Sequence, residues 1–298
     1  MSLKDIEYLW FSRININNRL KNNLLKEFGT INEFYNCSLD DLIYFNIRDK
    51  DIQEILNIEL RDKLVKEYEF LNKNNIGILS FEDEKYPEKL RKIEDCPKVL
   101  YYKGNINILE NESVGIIGAR VALNKSLEKA REIAMSVATL GINVVSGLAR
   151  GIDKFAHLGC IDANVLNENK RIGKTIAVLG SGIDDMSFYP KENYKVFERI
   201  LENDGCVLSE YPVGTEPKSI NFPYRNRIIS GLSDKIIIVQ AGVKSGSLIT
   251  VDYALDQGKD ILVIEPFQNV NFDYFKGNIE LINQGAKIYK KIEDLLLN

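Results

Sequence analysis

Two periodicities divide the chain. Before residue 76, apolar positions recur at steps of three and four, and Ile52, Ile55, Leu56, Leu60, Leu64, Tyr68 and Leu71 read as one buried helix face. Ser38 followed three residues later by Asp41 predicts a capped helix start. Gly29 and the polar run Asn72–Asn75 punctuate the segment, so a small helical bundle is expected over residues 1–75. From about residue 113 the pattern changes to short, β-branched, almost wholly apolar runs. They fall at Val114–Ile117, Ile142–Val145, Thr175–Leu179, Cys206–Leu208, Lys235–Val239 and Asp260–Ile264. Their starts lie roughly 25 to 33 residues apart, room for a crossover helix and two loops. Runs without alternation belong to strands covered on both faces. Helical stretches at Asn124–Leu140, Lys191–Asn203 and Leu248–Gln257 separate them, with Gly141, Gly205 and Gly258 as stops. A doubly wound parallel sheet of α/β class is predicted over residues 113–298. The segment 76–112, with turns at Tyr86-Pro87, Cys96-Pro97 and Gly104, is read as a connecting extension holding short strands at Ile76–Leu79 and Val99–Tyr102. The stretch Asn164–Arg171 reads as a polar surface loop.

Composition narrows the function. The 298 residues, 45% hydrophobic and 28% charged, suit a large domain with a smaller one. No stretch approaches 18 consecutive apolar residues, and no basic-then-apolar leader opens the chain, so a cytoplasmic protein with no membrane partner is expected. Cys37, Cys96, Cys160 and Cys206 lie far apart, and His157 is the one histidine, which leaves no zinc-ligand spacing and predicts no metal or other cofactor. The net charge of −4 argues against a generally basic nucleic-acid binder, so any such site must be a local patch on an acidic body.

In an open parallel sheet the ligand lies beyond the carboxyl ends of the strands. Those ends are rich in small residues here: Gly118-Ala-Arg120, Ser146-Gly-Leu-Ala-Arg-Gly-Ile-Asp153, Gly180-Ser-Gly182, Ser209-Glu210 and Ala241-Gly-Val-Lys-Ser-Gly-Ser247. Such loops let backbone amides approach an anion, and Arg120, Arg150 and Lys244 sit in them. Tight turns explain any single loop equally well; the convergence is the informative feature. From Pro217 to Ser233 there is no acid, while Lys218, Arg225 and Arg227 are present beside Phe222 and Tyr224. Residues 113–127 are likewise acid-free and carry Arg120 and Lys125. Guanidinium forks grip phosphates and aromatic faces stack on bases, although three cations also make an ordinary solvated helix face.

Other motifs fail. Gly173-Lys-Thr175 lacks the glycine a P-loop needs five residues earlier and leads into a strand. Arg120 and Leu123 stand where a dinucleotide fingerprint opening at Gly118 needs glycines. Asp153 and His157, four apart, suit acid–base chemistry but more often cap and tether a helix.

Taken together, GAR at 118–120, SGLARGID at 146–153, TIAVLGSGID at 175–184, YPKEN at 189–193, FPYRNRIISGLS at 222–233 and SGSLIT at 245–250 resemble the DNA-processing A (DprA/Smf) family. DEKYPEKL at 83–90 and INQGAKIYKKIEDLL at 282–296 also fit. The resemblance implies a helical domain similar to a sterile-alpha-motif fold followed by a Rossmann-like domain. It implies binding of single-stranded DNA, a homodimer through the Rossmann-like domain, and delivery of RecA recombinase to incoming strands in natural transformation. The implied DNA pocket uses Arg120, Lys191, Phe222, Arg225 and Arg227. With the strand-end loops, the candidate set becomes Arg120, Gly147, Arg150, Gly151, Lys191, Lys218, Phe222, Arg225, Asn226, Arg227, Lys244, Ser245, Gly246 and Ser247, with no catalytic residue. The chain departs from the family in having Leu123 and Ser126 where Ser or Thr and Gly are usual, which puts a hydroxyl–phosphate contact and a turn in question. The competing readings are a nucleotide-processing enzyme of the related phosphoribohydrolase type, for which Glu210 is the remaining candidate carboxylate, and a pure protein adaptor.

Overall fold

The computed structural model describes residues 3–166 and 172–295. The chain opens on α1 (Leu3–Arg13), α2 (Asn18–Phe28), α3 (Ile31–Tyr35), α4 (Leu39–Tyr44), α5 (Asp49–Ile55) and α6 (Ile58–Lys73). The expected box forms at α4: the Ser38 side chain accepts from the Asp41 amide, and Asp41 accepts from the Ser38 amide. The apolar series from Ile52 to Leu71 is not one helix. Asn57 interrupts it, its side chain accepting from the Leu60 amide to start α6, so competing local capping wins over the periodicity. Trp10 centres this bundle, edge-on to Phe34 at 5.1 Å and to Tyr35 at 5.3 Å.

Next come β1 (Gly77–Ser80), α7 (Glu88–Arg91), β2 (Val99–Gly104), β3 (Ser113–Ile117), α8 (Asn124–Thr139), β4 (Asn143–Ser146), α9 (Ile152–Leu166) and β5 (Thr175–Leu179). They are followed by α10 (Tyr194–Glu202), β6 (Cys206–Ser209), α11 (Asn221–Leu232), β7 (Lys235–Ile238), α12 (Ser247–Asp256), β8 (Asp260–Val263), α13 (Lys276–Asn283) and β9 (Lys287–Ile288). Among the described residues the strands form one nine-stranded sheet in the order β1-β2-β6-β5-β4-β3-β7-β8-β9. Every pairing from β6 to β9 is parallel, but β2 runs antiparallel to both β1 and β6. The fold is therefore α/β and Rossmann-like, with an antiparallel edge added to the parallel sheet by the segment that follows the bundle.

Alternation within each strand explains the covering of both faces. Ile236 and Ile238 pack with Val145, Ile228 and Val251 under α11 and α12. Ile237 and Val239 pack with Ala130, Ala134, Ile152 and Ala156 under α8 and α9. The helical bundle shares its core with the sheet edge, since Trp10 and Phe34 belong to the same buried cluster as Tyr101, Ala177 and Val207. Polar ties reinforce that seam: Arg13 grips Glu67 and donates to the Val213 carbonyl at 2.7 Å. The four cysteines are free and buried. Asn164–Leu166 close α9 rather than lying in a loop, and Asn164 donates to the Cys160 and Gly173 carbonyls; residues 167–171 lie outside the described residues. No helix among the described residues is long and apolar enough to cross a membrane.

Candidate nucleic-acid interface

The strand order reverses between β3 and β7, and a cleft of about 560 Å³ opens beyond their carboxyl ends. This is where an open α/β sheet leaves a crevice. Its lining brings together Gly118–Val121 after β3, Ala149 after β4, Phe222, Arg225 and Asn226 of α11, and Lys244–Ser247 after β7. Thus Arg120, Phe222, Arg225, Asn226, Lys244, Ser245, Gly246 and Ser247, scattered over 128 positions (120 to 247), meet in one cavity. Gly147 and Arg150 line a small continuation of it with Tyr189 and Pro190.

Two helices start in the cleft wall without a side-chain cap, α11 after Ile220 and α12 after Gly246, while the equally uncapped start of α8 after Leu123 lies outside the lining. An uncapped first turn offers N–H groups and the positive dipole end to an anion. At α11 the Asn221 amide already donates to the Lys218 carbonyl at 3.0 Å and Pro223 has no N–H, so α12 has more amides to offer. The unusual Leu123 is compensated by Gln240, two residues beyond β7. Its Oε1 accepts from the Leu123 amide at 3.0 Å and from the Ser126 hydroxyl, so the turn before α8 is held without a capping hydroxyl. Arg120 is exposed and lies over the Phe222 ring at 5.3 Å, with no carboxylate within 4 Å among the described residues. Lys244 is exposed as well. The Asn226 amide donates to the Gly246 carbonyl at 3.3 Å, tying α11 to the loop after β7.

Beneath this surface Arg225 is a structural cation. It is 4% exposed and donates to the carbonyls of Gly147 and Val178. Burial pulls its guanidinium down to about 10 while Asp153 opposes the change. Asp153 accepts from the amides of Gly147 and Ala149, which shapes the loop after β4; burial raises its carboxyl and Arg225 restrains the rise. At Gly147 a Cβ would stand 2.5 Å from Arg225 Nη2 and 2.7 Å from Asp153 Oδ2, so any larger residue would push this buried pair out of place. Gly151, at φ +70°, packs against the backbone of Ala119 and Arg120 and locks the two loops together without lining the cleft. His157 is fully buried, its Nδ1 against the Thr175 hydroxyl at 2.6 Å, and burial with nearby Arg225 depresses it to about 3. Asp153 and His157 therefore tether the fold and form no acid–base pair.

Arg227 corrects the sequence expectation. Two positions beyond Arg225 on a helix, it faces away from the cleft and is 2% exposed. Its guanidinium is bidentate to Glu210 at 2.7 and 2.8 Å, donates to the Asp95 carbonyl and lies 3.9 Å from the centre of the Tyr224 ring. Burial works against this charge, but Glu210 together with Tyr224 and Asp95 more than offsets it. Neither Arg227 nor Glu210 reaches the cleft. Lys191, in the short 3-10 turn before α10, donates to the carbonyls of Asp185 and Met186 outside the lining. Lys218 is exposed before α11 and likewise lines neither cavity. Sequence reasoning passed over Gln240, Tyr274 and Tyr189. Tyr189 lay in the YPKEN block, where an aromatic beside a proline after a strand was the available signal.

A family model described as DNA recombination-mediator protein A matches residues 77–298. The chain belongs to that family, DprA/Smf. It is 38% identical over 236 residues to Protein Smf of Synechocystis sp., covering 77% of this chain and 56% of that protein. It is 37% identical to DNA processing protein DprA of Streptococcus pneumoniae, covering 72% and 71%. The X-ray structure of the pneumococcal DprA superposes with a TM-score of 0.82 at 30% identity, covering 99% of this chain and 98% of that one. A Helicobacter pylori DNA processing protein A, solved for its single-stranded DNA binding mode, superposes at 0.61 and 29% identity over 74% of this chain and 94% of that one. The chain thus spans between about half and three quarters of the length of these curated relatives, and nearly all of the solved pneumococcal chain.

Proposed function

We propose that this protein holds single-stranded DNA in the switch-point cleft and mediates recombination by presenting that strand, in the cytoplasm, to a RecA-type recombinase. The observation that carries the reading is the meeting of exposed, carboxylate-free Arg120 with the Phe222 ring beside the uncapped starts of α11 and α12. A cation for phosphate and a face for a base, side by side, are what an unpaired nucleotide needs. The single-stranded DNA binding of the Helicobacter pylori relative supports it. A strand-binding role asks for no catalytic group, and the carboxylate an enzymatic reading would use, Glu210, is held by Arg227 outside the cleft. The phosphate contacts would come from Arg120, Lys244 and the Ser245–Ser247 loop, with Arg225, Gly147, Gly151 and Asn226 as their scaffold. Delivery to the recombinase and a homodimer through the Rossmann-like domain belong to the same reading, the latter tested by light scattering at micromolar concentrations.

Titration with single- and double-stranded oligonucleotides in the same salt tests the function. The single strand should bind more tightly, because stacking requires unpaired bases and the acidic body offers no broad duplex-tracking face. Equal affinity for the two forms would count against the cleft as a strand-binding site.

A further inference from the structure

The Arg120–Phe222 arrangement has a second copy nearby. Arg150 lies over the Tyr189 ring at 5.8 Å, as Arg120 lies over Phe222 at 5.3 Å. The two rings are neighbours, with centroids 5.7 Å apart and planes at 55°. Rings at that separation and tilt touch one another directly, so a base has no room to be sandwiched between them. Phe222 and Tyr189 therefore offer two separate platforms. Both are partly exposed, and the small cavity lined by Arg120, Ala149, Arg150, Tyr189 and Phe222 joins them.

The copies differ in one respect. Arg120 has no carboxylate partner among the described residues, whereas Arg150 is bidentate to Glu192 through Nε and Nη2. Both side chains of that pair are about half exposed, 49% and 51%. An ion pair so exposed is screened and easily exchanged. A phosphate presents the same charge and the same pair of oxygens to the guanidinium fork as the carboxylate does. Resting on the strand-binding reading above, we infer that Tyr189 and Arg150 form a second nucleotide subsite, next along the strand from Phe222. Glu192 occupies the phosphate position of that subsite until DNA displaces it. The strand then crosses from the switch-point cleft over Phe222 to Tyr189, and the Glu192 carboxylate sets the salt and length dependence of the second step.

Fluorescence anisotropy with labelled oligothymidylates of increasing length, over a series of salt concentrations, tests this. Glu192→Gln should bind several-fold more tightly than the parent at low salt. Because Arg150 then starts without a counter-charge, the magnitude of its log–log salt slope should rise by about 0.7. Adding Arg150→Ala to Glu192→Gln should abolish both gains. Tyr189→Ala should weaken binding about 5- to 150-fold with the slope unchanged, only for oligomers long enough to reach it, and Tyr189→Phe should restore it. If Glu192→Gln and Tyr189→Ala bind like the parent while Phe222→Ala and Arg120→Ala lose affinity, the second subsite is refuted and the strand-binding reading stands. If the parent binds no single strand at all, both fail together.

Discussion

On α11, Phe222, Arg225 and Asn226 turn toward the switch-point cleft, while Tyr224 and Arg227 turn toward Glu210 and Asp95. Both faces pair an arginine with an aromatic ring, and the rings differ mainly in what surrounds the guanidinium. On the cleft side Phe222 is met by Arg120, an exposed charge from another loop that has no carboxylate partner among the described residues. On the far side Tyr224 is met by Arg227, buried and saturated by two carboxylates and two carbonyls. A cation–aromatic pair is thus a binding surface or a structural rivet according to whether its charge is already neutralised. Residue type and spacing along the chain do not carry that information.

Arg227→Ala gives the largest expected effect, on stability. Removing one partner of a buried pair costs about 3 to 5 kcal/mol because the other charge is left uncompensated. Glu210 retains some exposure, so the lower part of that range is expected. Urea unfolding should show the loss, and the protein that remains folded should bind single-stranded DNA as the parent does. Pairing Arg227→Met with Glu210→Gln should recover much of the stability. A variant that keeps full stability but loses DNA would move Arg227 to the cleft side of the comparison.

The scaffold under the cleft side has a pH signature. The His157 pKa is lowered from 6.5 to about 3 in the folded state. Between those values the unfolded chain binds the extra proton, so stability falls as pH drops below about 6.5, by up to about 1.4 kcal/mol per pH unit. Asp153 acts in the opposite sense: its folded carboxyl is raised, so the instability of its ionised form recedes as pH falls through that raised value. His157→Gln should flatten the loss between pH 6.5 and 4.5 in urea-melt series. An unchanged pH profile would place the acid sensitivity elsewhere.

Much of the fold was legible. Apolar runs without alternation announced strands covered on both faces, and β5 falls where Thr175–Leu179 predicted it. The antiparallel edge was not legible, because direction depends on which strand β2 meets, and four residues at β1 carry no such signal. The site was half legible. Small residues at strand ends located the loops, since neighbours press close there: the Arg225 and Asp153 side chains at Gly147, and the backbone of Ala119 and Arg120 at Gly151. The same reading placed Arg225 and Arg227 together because they are two apart in sequence. A helix turns them to different sides, and only the fold supplies Asp153 to one and Glu210 to the other.

Phe222→Ala should cost about 1 to 3 kcal/mol of binding without changing the salt slope, since stacking releases no counterions. The ring also abuts Gly180, where a Cβ would come within 2.8 Å of Phe222 Cδ1. Gly180→Ala should therefore push the ring from its place and reproduce part of the loss. A binding deficit in Phe222→Ala that comes with a shallower salt slope would mean that the ring serves to orient Arg120 rather than to stack.

Arg120→Ala should produce the smallest change in the folded protein and the cleanest change in the salt dependence. The side chain is exposed and has no carboxylate within 4 Å among the described residues, so its removal should alter stability by no more than about 0.5 kcal/mol. Each phosphate neutralised on a single strand contributes a slope of about −0.7, and the variant should flatten the log–log plot by that amount. Arg120→Lys should restore the slope, because the charge returns. It should recover affinity only in part, because a point charge lacks both the planar fork and the flat face that lies over Phe222. That split between slope and affinity is what separates Arg120 from Arg227, whose replacement should change stability and leave the slope alone. If Arg120→Ala keeps the parent slope, the exposed guanidinium meets no phosphate, and the cleft side of α11 holds its cation for some other ligand.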